Sequence, residues 1–180
     1  IACGAGKYLT TQGNDAETDC VLCGAGKYSP SLGATEEAAT CIKCLAGKYL
    51  PTLGAIEEAT CIACVAGKYS TTAGNSKATD CLPCAAGKYS TTAGNAEETD
   101  CARCNAGKYS SAVGADNVNL CQDCAAGKYV TSEGNDNAAD CIACVAGKYA
   151  STAGNDAESD CVKCAAGTYS TSVGAVSIDA

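Results

Sequence analysis

Histidine, methionine, phenylalanine and tryptophan are all absent from this 180-residue chain, and proline occurs only three times. Without histidine the chain lacks the commonest general base and the commonest metal ligand. Leu, Ile and Val together supply 23 residues, too few for a conventional apolar core. The hydrophobic fraction of 47% rests largely on 35 alanines and 17 cysteines, and alanine has little apolar area to bury. Basic side chains are outnumbered 12 to 20, and the formal net charge of −8 opposes nucleic acid and anionic lipid surfaces. No apolar run nears the roughly 20 residues of a membrane span, and the first residues have neither the basic segment nor the apolar core of a signal peptide. Neither a nucleic-acid partner nor membrane insertion of this segment is expected.

What the chain has instead is cysteine, at a density typical of disulfide scaffolds, which persist in oxidising compartments. An extracellular protein, secreted or at the cell surface, is therefore expected. The cysteines fall in CxxC pairs at Cys20/Cys23, Cys41/Cys44, Cys61/Cys64, Cys81/Cys84, Cys101/Cys104, Cys121/Cys124, Cys141/Cys144 and Cys161/Cys164. The period is 20, with one unit of 21, and residues 1–180 read as a single tandem array. Its units lie near 3–22, 23–43, 44–63, 64–83, 84–103, 104–123, 124–143, 144–163 and 164–180. Between Cys64–Asp80 and Cys84–Asp100, 13 of 17 positions are identical. The extra residue of the long unit lies between Gly33 and Cys41, which marks the stretch after the second glycine as a surface loop.

Two glycine phases, Gly6 and Gly13 with their counterparts, hold 18 of the 20 glycines and point to backbone conformations that a Cβ would forbid. Between them, Lys7-Tyr8-Leu9-Thr10-Thr11 and its equivalents carry a β-favouring aromatic and hydroxyl residues bounded by turn formers. Each unit thus reads as a short-stranded hairpin, with little regular secondary structure and no helix. The nine tyrosines, Tyr8, Tyr28, Tyr49, Tyr69, Tyr89, Tyr109, Tyr129, Tyr149 and Tyr169, share one phase and should make one repeated stacking contact, each ring packing on a neighbouring disulfide. Lysine precedes tyrosine in eight of nine units, Thr168 being the exception. This gives either a solvated lysine row or pairs with the acidic loops, exposed pairs of that kind contributing about 0 to 1 kcal/mol each.

Two chemistries fit C-x2-C-x16-C-x2-C, because the spacing also matches a pair of zinc knuckles. A four-thiolate zinc site would use two CxxC pairs and impose a period near 40, whereas the observed period is near 20. Disulfides use every unit alike: Cys3–Cys20, Cys23–Cys41, Cys44–Cys61, Cys64–Cys81, Cys84–Cys101, Cys104–Cys121, Cys124–Cys141 and Cys144–Cys161, leaving Cys164 unpaired in this window. Zinc stays the alternative. Each closed loop would stabilise its unit by about 3 kcal/mol on the chain-entropy model.

The run Cys-x-x-Gly-Lys-Tyr-Ser followed by Thr-Asp-Cys-x-x-Cys, as in Cys84 to Cys104, resembles the small one-disulfide module of tumour necrosis factor receptor ectodomains. It is also similar to the ephrin-receptor-like cysteine-rich repeats of secreted and cell-surface proteins. The resemblance covers the whole chain and implies the same within-unit disulfide and an elongated ladder of about nine modules. Receptor ectodomains mix module types, whereas one module recurs here.

A translational repeat offers near copies of everything and no convergence of unlike groups, so no enzyme activity and no cofactor are expected. A structural rod, self-associating into a filament, hair or surface stalk, uses what the sequence most clearly has. The alternative is a ligand-binding or adhesion ectodomain of a receptor-like protein. The acidic loops, such as Asn14-Asp15-Ala16-Glu17, offer at most weak calcium binding. O-linked glycans are expected at Ser70, Thr71, Thr72, Ser90, Thr91 and Thr92, since no Asn-x-Ser/Thr acceptor exists. Ile1-Ala2-Cys3 matches Ile62-Ala63-Cys64, and a 17-residue step from Cys164 falls one residue beyond Ala180, so the segment is expected to be an interior window of a longer array. Non-reducing peptide mapping should recover Cys64 joined to Cys81. Recovery of Cys61 joined to Cys64, or stoichiometric zinc, would favour the other chemistry.

Overall fold

The Lys-Tyr pair of a repeat forms a two-residue strand because the glycine before it closes a turn at positive φ and redirects the chain. That strand pairs antiparallel with the two residues inside the next CxxC pair, which the disulfide holds alongside. A computed structural model describes residues 2–178 in these terms. Eight two-stranded hairpins follow one another. They are β1 (Lys7–Tyr8) with β2 (Val21–Leu22), β3 (Lys27–Tyr28) with β4 (Ile42–Lys43), β5 (Lys48–Tyr49) with β6 (Ile62–Ala63), and β7 (Lys68–Tyr69) with β8 (Leu82–Pro83). The rest are β9 (Lys88–Tyr89) with β10 (Ala102–Arg103), β11 (Lys108–Tyr109) with β12 (Gln122–Asp123), β13 (Lys128–Tyr129) with β14 (Ile142–Ala143), and β15 (Lys148–Tyr149) with β16 (Val162–Lys163). The register is constant, as in Tyr8 opposite Val21 and Tyr129 opposite Ile142.

The fold is therefore the disulfide-rich hairpin repeat that the glycine and cysteine phasing implies, with almost no helix. The loop before each CxxC pair does contain one tight turn. It is 3₁₀ in seven repeats, for example Glu17–Asp19 and Glu158–Asp160. In the 21-residue unit it becomes a four-residue α-helix, Glu37–Thr40, a correction to the expectation of none. The extra residue changes the closing bond: Cys20 N–H reaches back three residues to the Glu17 carbonyl, whereas Cys41 N–H reaches back four to the Glu37 carbonyl. The insertion is absorbed within one turn and the rest of the unit keeps its spacing.

The chain divides into two compact units, Ile1–Leu82 with Thr92–Asp100, and Pro83–Thr91 with Cys101–Ala180. In the first unit, Gly6, Gly26 and Gly47 donate their N–H to the residue after the next repeat's tyrosine, as Gly6 to Ser29 O at 2.8 Å and Gly26 to Leu50 O at 2.8 Å. Gly33, Gly54, Gly74 and Gly94 donate back to the preceding repeat's cysteine carbonyl, as Gly33 to Cys3 O at 2.8 Å. The second unit repeats this set, with Gly107 to Val130 O at 2.8 Å and Gly134 to Cys104 O at 2.8 Å. Parallel bridges add a third link, such as Tyr8 with Ala34 and Tyr109 with Asn135. The core is a succession of small clusters built on the half-cystines.

A further contact skips a repeat. A Cβ added to Gly127, at φ 80°, would lie 2.2 Å from the Gly174 carbonyl oxygen two repeats on. Gly167 has φ 86° and open space around it. Gly167→Ala should therefore cost only the left-handed backbone penalty of about 1 to 2 kcal/mol. Gly127→Ala should cost at least about 2 kcal/mol more, through the displaced neighbour. Denaturant unfolding of the oxidised variants measures the difference.

Candidate functional site: the joint between repeats

A tyrosine seated on the next repeat's disulfide forms the joint. In the first unit, Tyr28 packs on Cys44, Leu50, Ala55 and Cys61, and Cys44 and Leu50 are almost fully buried. In the second unit, Tyr109 packs on Cys124, Val130 and Cys141, and Tyr129 on Cys144, Ala150 and Cys161. Sequence order explains the geometry. The strand carrying Tyr28 is bridged to Ala55 in parallel, which brings the ring alongside the following half-cystine pair. The hydroxyl lies at the surface in Tyr109, whose Oη donates to Gln122 Oε1 at 3.1 Å.

Disulfides join Cys3–Cys20, Cys23–Cys41, Cys44–Cys61, Cys64–Cys81, Cys84–Cys101, Cys104–Cys121, Cys124–Cys141 and Cys144–Cys161, with Cα separations of 5.6 to 5.9 Å. Cys164 is a half-buried free thiol. The zinc alternative has no thiolate set in this arrangement, since sixteen cysteines are consumed in pairs.

A second device at the joint is a small residue directly after the second glycine. At Asn75, Asn95, Asn135 and Asn155 it reaches into the preceding repeat. Asn75 is buried and its Nδ2 donates to Ser70 Oγ at 2.6 Å, to Thr72 O at 2.7 Å and to Lys48 O at 3.4 Å. Asn95, Asn135 and Asn155 reach the carbonyls of Lys68, Lys108 and Lys128 at 3.3, 3.2 and 3.0 Å. Sequence reasoning missed this link. The signal was a position restricted to Asn or Ala, as in Ala34, Ala55, Asn75 and Asn95.

Charged groups lie outside the joint and pair locally. Lys7–Glu17, Lys27–Glu37, Lys48–Glu58 and Lys148–Glu158 are ion pairs of 2.7 to 3.1 Å between a strand and its own loop. Lys108, facing Val118 at the loop position, pairs instead with Asp123. The hydrogen bond and then the charge of Lys7 lower the Glu17 pKa, and Lys27 does the same for Glu37. The loop aspartates are occupied differently: Asp80, Asp100, Asp140 and Asp160 each accept backbone N–H bonds of their own turn. Among the described residues no three His, Cys, Asp or Glu side chains are placed to share a metal ion.

The six hydroxyl residues singled out for sugar separate by exposure. Ser70 and Ser90, directly after the tyrosine, are buried at 2% and 4% exposure. Thr71, Thr72, Thr91 and Thr92 are exposed. Alternation along the extended segment turns the serine inward, toward the asparagine at the joint, and the next residue outward.

Residues 132–180 match the family described as tyrosine-protein kinase ephrin type A/B receptor-like. The regular disulfide array along the rest of the chain fits a receptor-type cysteine-rich repeat of the kind matched there. No curated protein sequence matches the chain. Repeats stapled throughout by disulfides point to an extracellular segment, and no helix among the described residues is long and apolar enough to cross a membrane.

The ion pairs give a pH test. Because Glu17 is lowered in the folded chain, its pair contributes above the ordinary carboxylate range, and that contribution is lost as pH falls through the lowered value. NMR titration of Lys7→Gln should move the Glu17 midpoint upward, while the hairpin signals persist because the disulfides remain.

Proposed function

We propose that the array is an extracellular structural rod, contributing to a filament, hair or surface stalk. One observation carries this reading: inside each compact unit the same backbone bonds recur from repeat to repeat, and the same tyrosine–disulfide seat recurs at Tyr28, Tyr109 and Tyr129. Such a chain is suited to setting a distance. O-linked sugar on the exposed Thr71 and Thr91 fits a solvated outer surface.

A second reading, a ligand-binding or adhesion segment of a receptor-like surface protein, is favoured by the match of residues 132–180. The exposed aliphatic residues that differ between repeats, such as Leu32 and Val113, would then carry the specificity. Small-angle scattering of the oxidised chain tests the rod. It should give a radius of gyration well above the about 16 Å of a compact chain of this length. A value near that figure would sink the reading. Exchanging unit 64–83 for unit 104–123 separates the two functions, because a rod should keep its scattering profile whereas a ligand site built on individual side chains should lose binding.

A further inference from the structure

Three positions after the tyrosine of a repeat carry most of the hydroxyl groups, and two of the three have a structural duty. The first faces inward: Ser70, Ser90 and Ser110 are buried there, and Leu50, Val130 and Ala150 fill the same position in other repeats, so it is a packing position. The third is held by the asparagine of the joint. Thr92 Oγ1, Ser132 Oγ and Thr152 Oγ1 donate to the Oδ1 of Asn95, Asn135 and Asn155 at 2.9, 2.7 and 2.8 Å.

The middle position has no such duty. Thr71, Thr91, Ser111, Thr131 and Ser151 are all exposed and lie outside the strands. Among the described residues no hydrogen bond engages their hydroxyls, and no backbone hydrogen bond uses their N–H or carbonyl groups. Pro30 and Pro51 take this position in two other repeats, which agrees with a backbone that has no N–H bond to make. Threonine alone would suit the extended chain. Ser111 and Ser151 are not β-branched, and what they share with threonine is the hydroxyl.

A residue so placed offers what a glycosyltransferase needs, an exposed nucleophilic oxygen on a backbone that can enter a cleft without breaking the fold. We propose that the middle hydroxyl is the acceptor of an O-linked sugar, one per repeat, at Thr71, Thr91, Ser111, Thr131 and Ser151. The donor is a sugar activated as a phosphate ester at its anomeric carbon. The acceptor oxygen bonds to that carbon, the bond from the carbon to the phosphate oxygen breaks, and the phosphate-bearing group leaves with the electron pair. The hydroxyl proton passes to a base of the transferase. This deepens the sugar reading at Thr71 and Thr91 and rests on the extracellular setting of the array; the rod itself requires no sugar.

The test is mass spectrometry of the chain isolated from its natural source, reduced, alkylated and fragmented by electron transfer, which leaves sugar on its residue. Sugar should be found at the five middle positions and be absent from Ser70, Ser90, Thr92, Ser132 and Thr152. Expressed in the same cells, Ser111→Ala should lose the mass of one glycan and Thr152→Ala should lose none. Bare peptides at three or more of the five positions overturn the inference, as does sugar at Thr92 or Thr152 in place of Thr91 or Ser151. Small-angle scattering of the same material separates the claims. A bare chain that scatters as a rod overturns the sugar and leaves the rod standing, whereas a compact chain with sugar at the five positions removes the rod and supports the sugar.

Discussion

The first glycine of a repeat lies so close to the backbone two repeats further on that a methyl group has no room: at Gly6, Gly47 and Gly87 it would fall 2.2 Å from a carbonyl oxygen. Most other features of the structure follow from that approach. It lets the first glycine's N–H and the second glycine's N–H bond to successive neighbours, and it sets the tyrosine ring over the following disulfide. It also makes the repeats couple beyond nearest neighbours. In solenoid proteins a repeat usually contacts only the repeats beside it, so stability adds up from single interfaces. Here Leu22 at the end of one repeat also lies against Gly54 two repeats later, where a Cβ would meet its side chain at 2.5 Å. Loosening one unit therefore disturbs two interfaces on each side of it.

Disulfides and this backbone contact divide the labour. With so few aliphatic side chains, the largest fully buried group is a leucine at one position, Leu50, and elsewhere the interior is half-cystine, alanine, serine and asparagine, with Val130. Small residues suit a joint held by main-chain bonds, because they let backbones approach. The half-cystines are buried to an extent that few other side chains in the molecule reach, Cys64, Cys84 and Cys104 being fully shielded.

The hairpins were legible because three independent signals coincide in each unit: glycine on either side, Lys-Tyr between, and a cysteine pair at fixed distance. What the periodicity could not convey is which neighbour a residue touches, since a translational pattern looks the same whether Gly6 meets the next repeat or the one after. Burial was also hidden where chemistry is uniform. Ser70 and Thr71 look alike as hydroxyl residues, and only the alternation of an extended segment separates the inward serine from the outward threonine. The loop length was misleading in a milder way: the added residue of the long unit suggests slack, yet it is taken up by one extra hydrogen-bonded step at Glu37. Lysine pairing followed local opportunity. Where the loop offers Ala78 or Ala138 instead of glutamate, the regular partner is missing, and Lys108 finds an acid on the facing strand.

The disulfides also fix what a pulling force could do to this chain. Tension applied along it would bypass the residues within each closed loop, because the shortest covalent path enters at Cys3, crosses the sulfur bridge to Cys20 over a Cα separation of 5.9 Å, and leaves by the three peptide steps to Cys23. Those steps extend to roughly 10 Å when taut. A fully stretched repeat would therefore reach only about 16 Å, against the roughly 70 Å available to twenty unlinked residues. Even with every hydrogen bond broken, the array would remain a short tether whose limit of extension is set by covalent bonds.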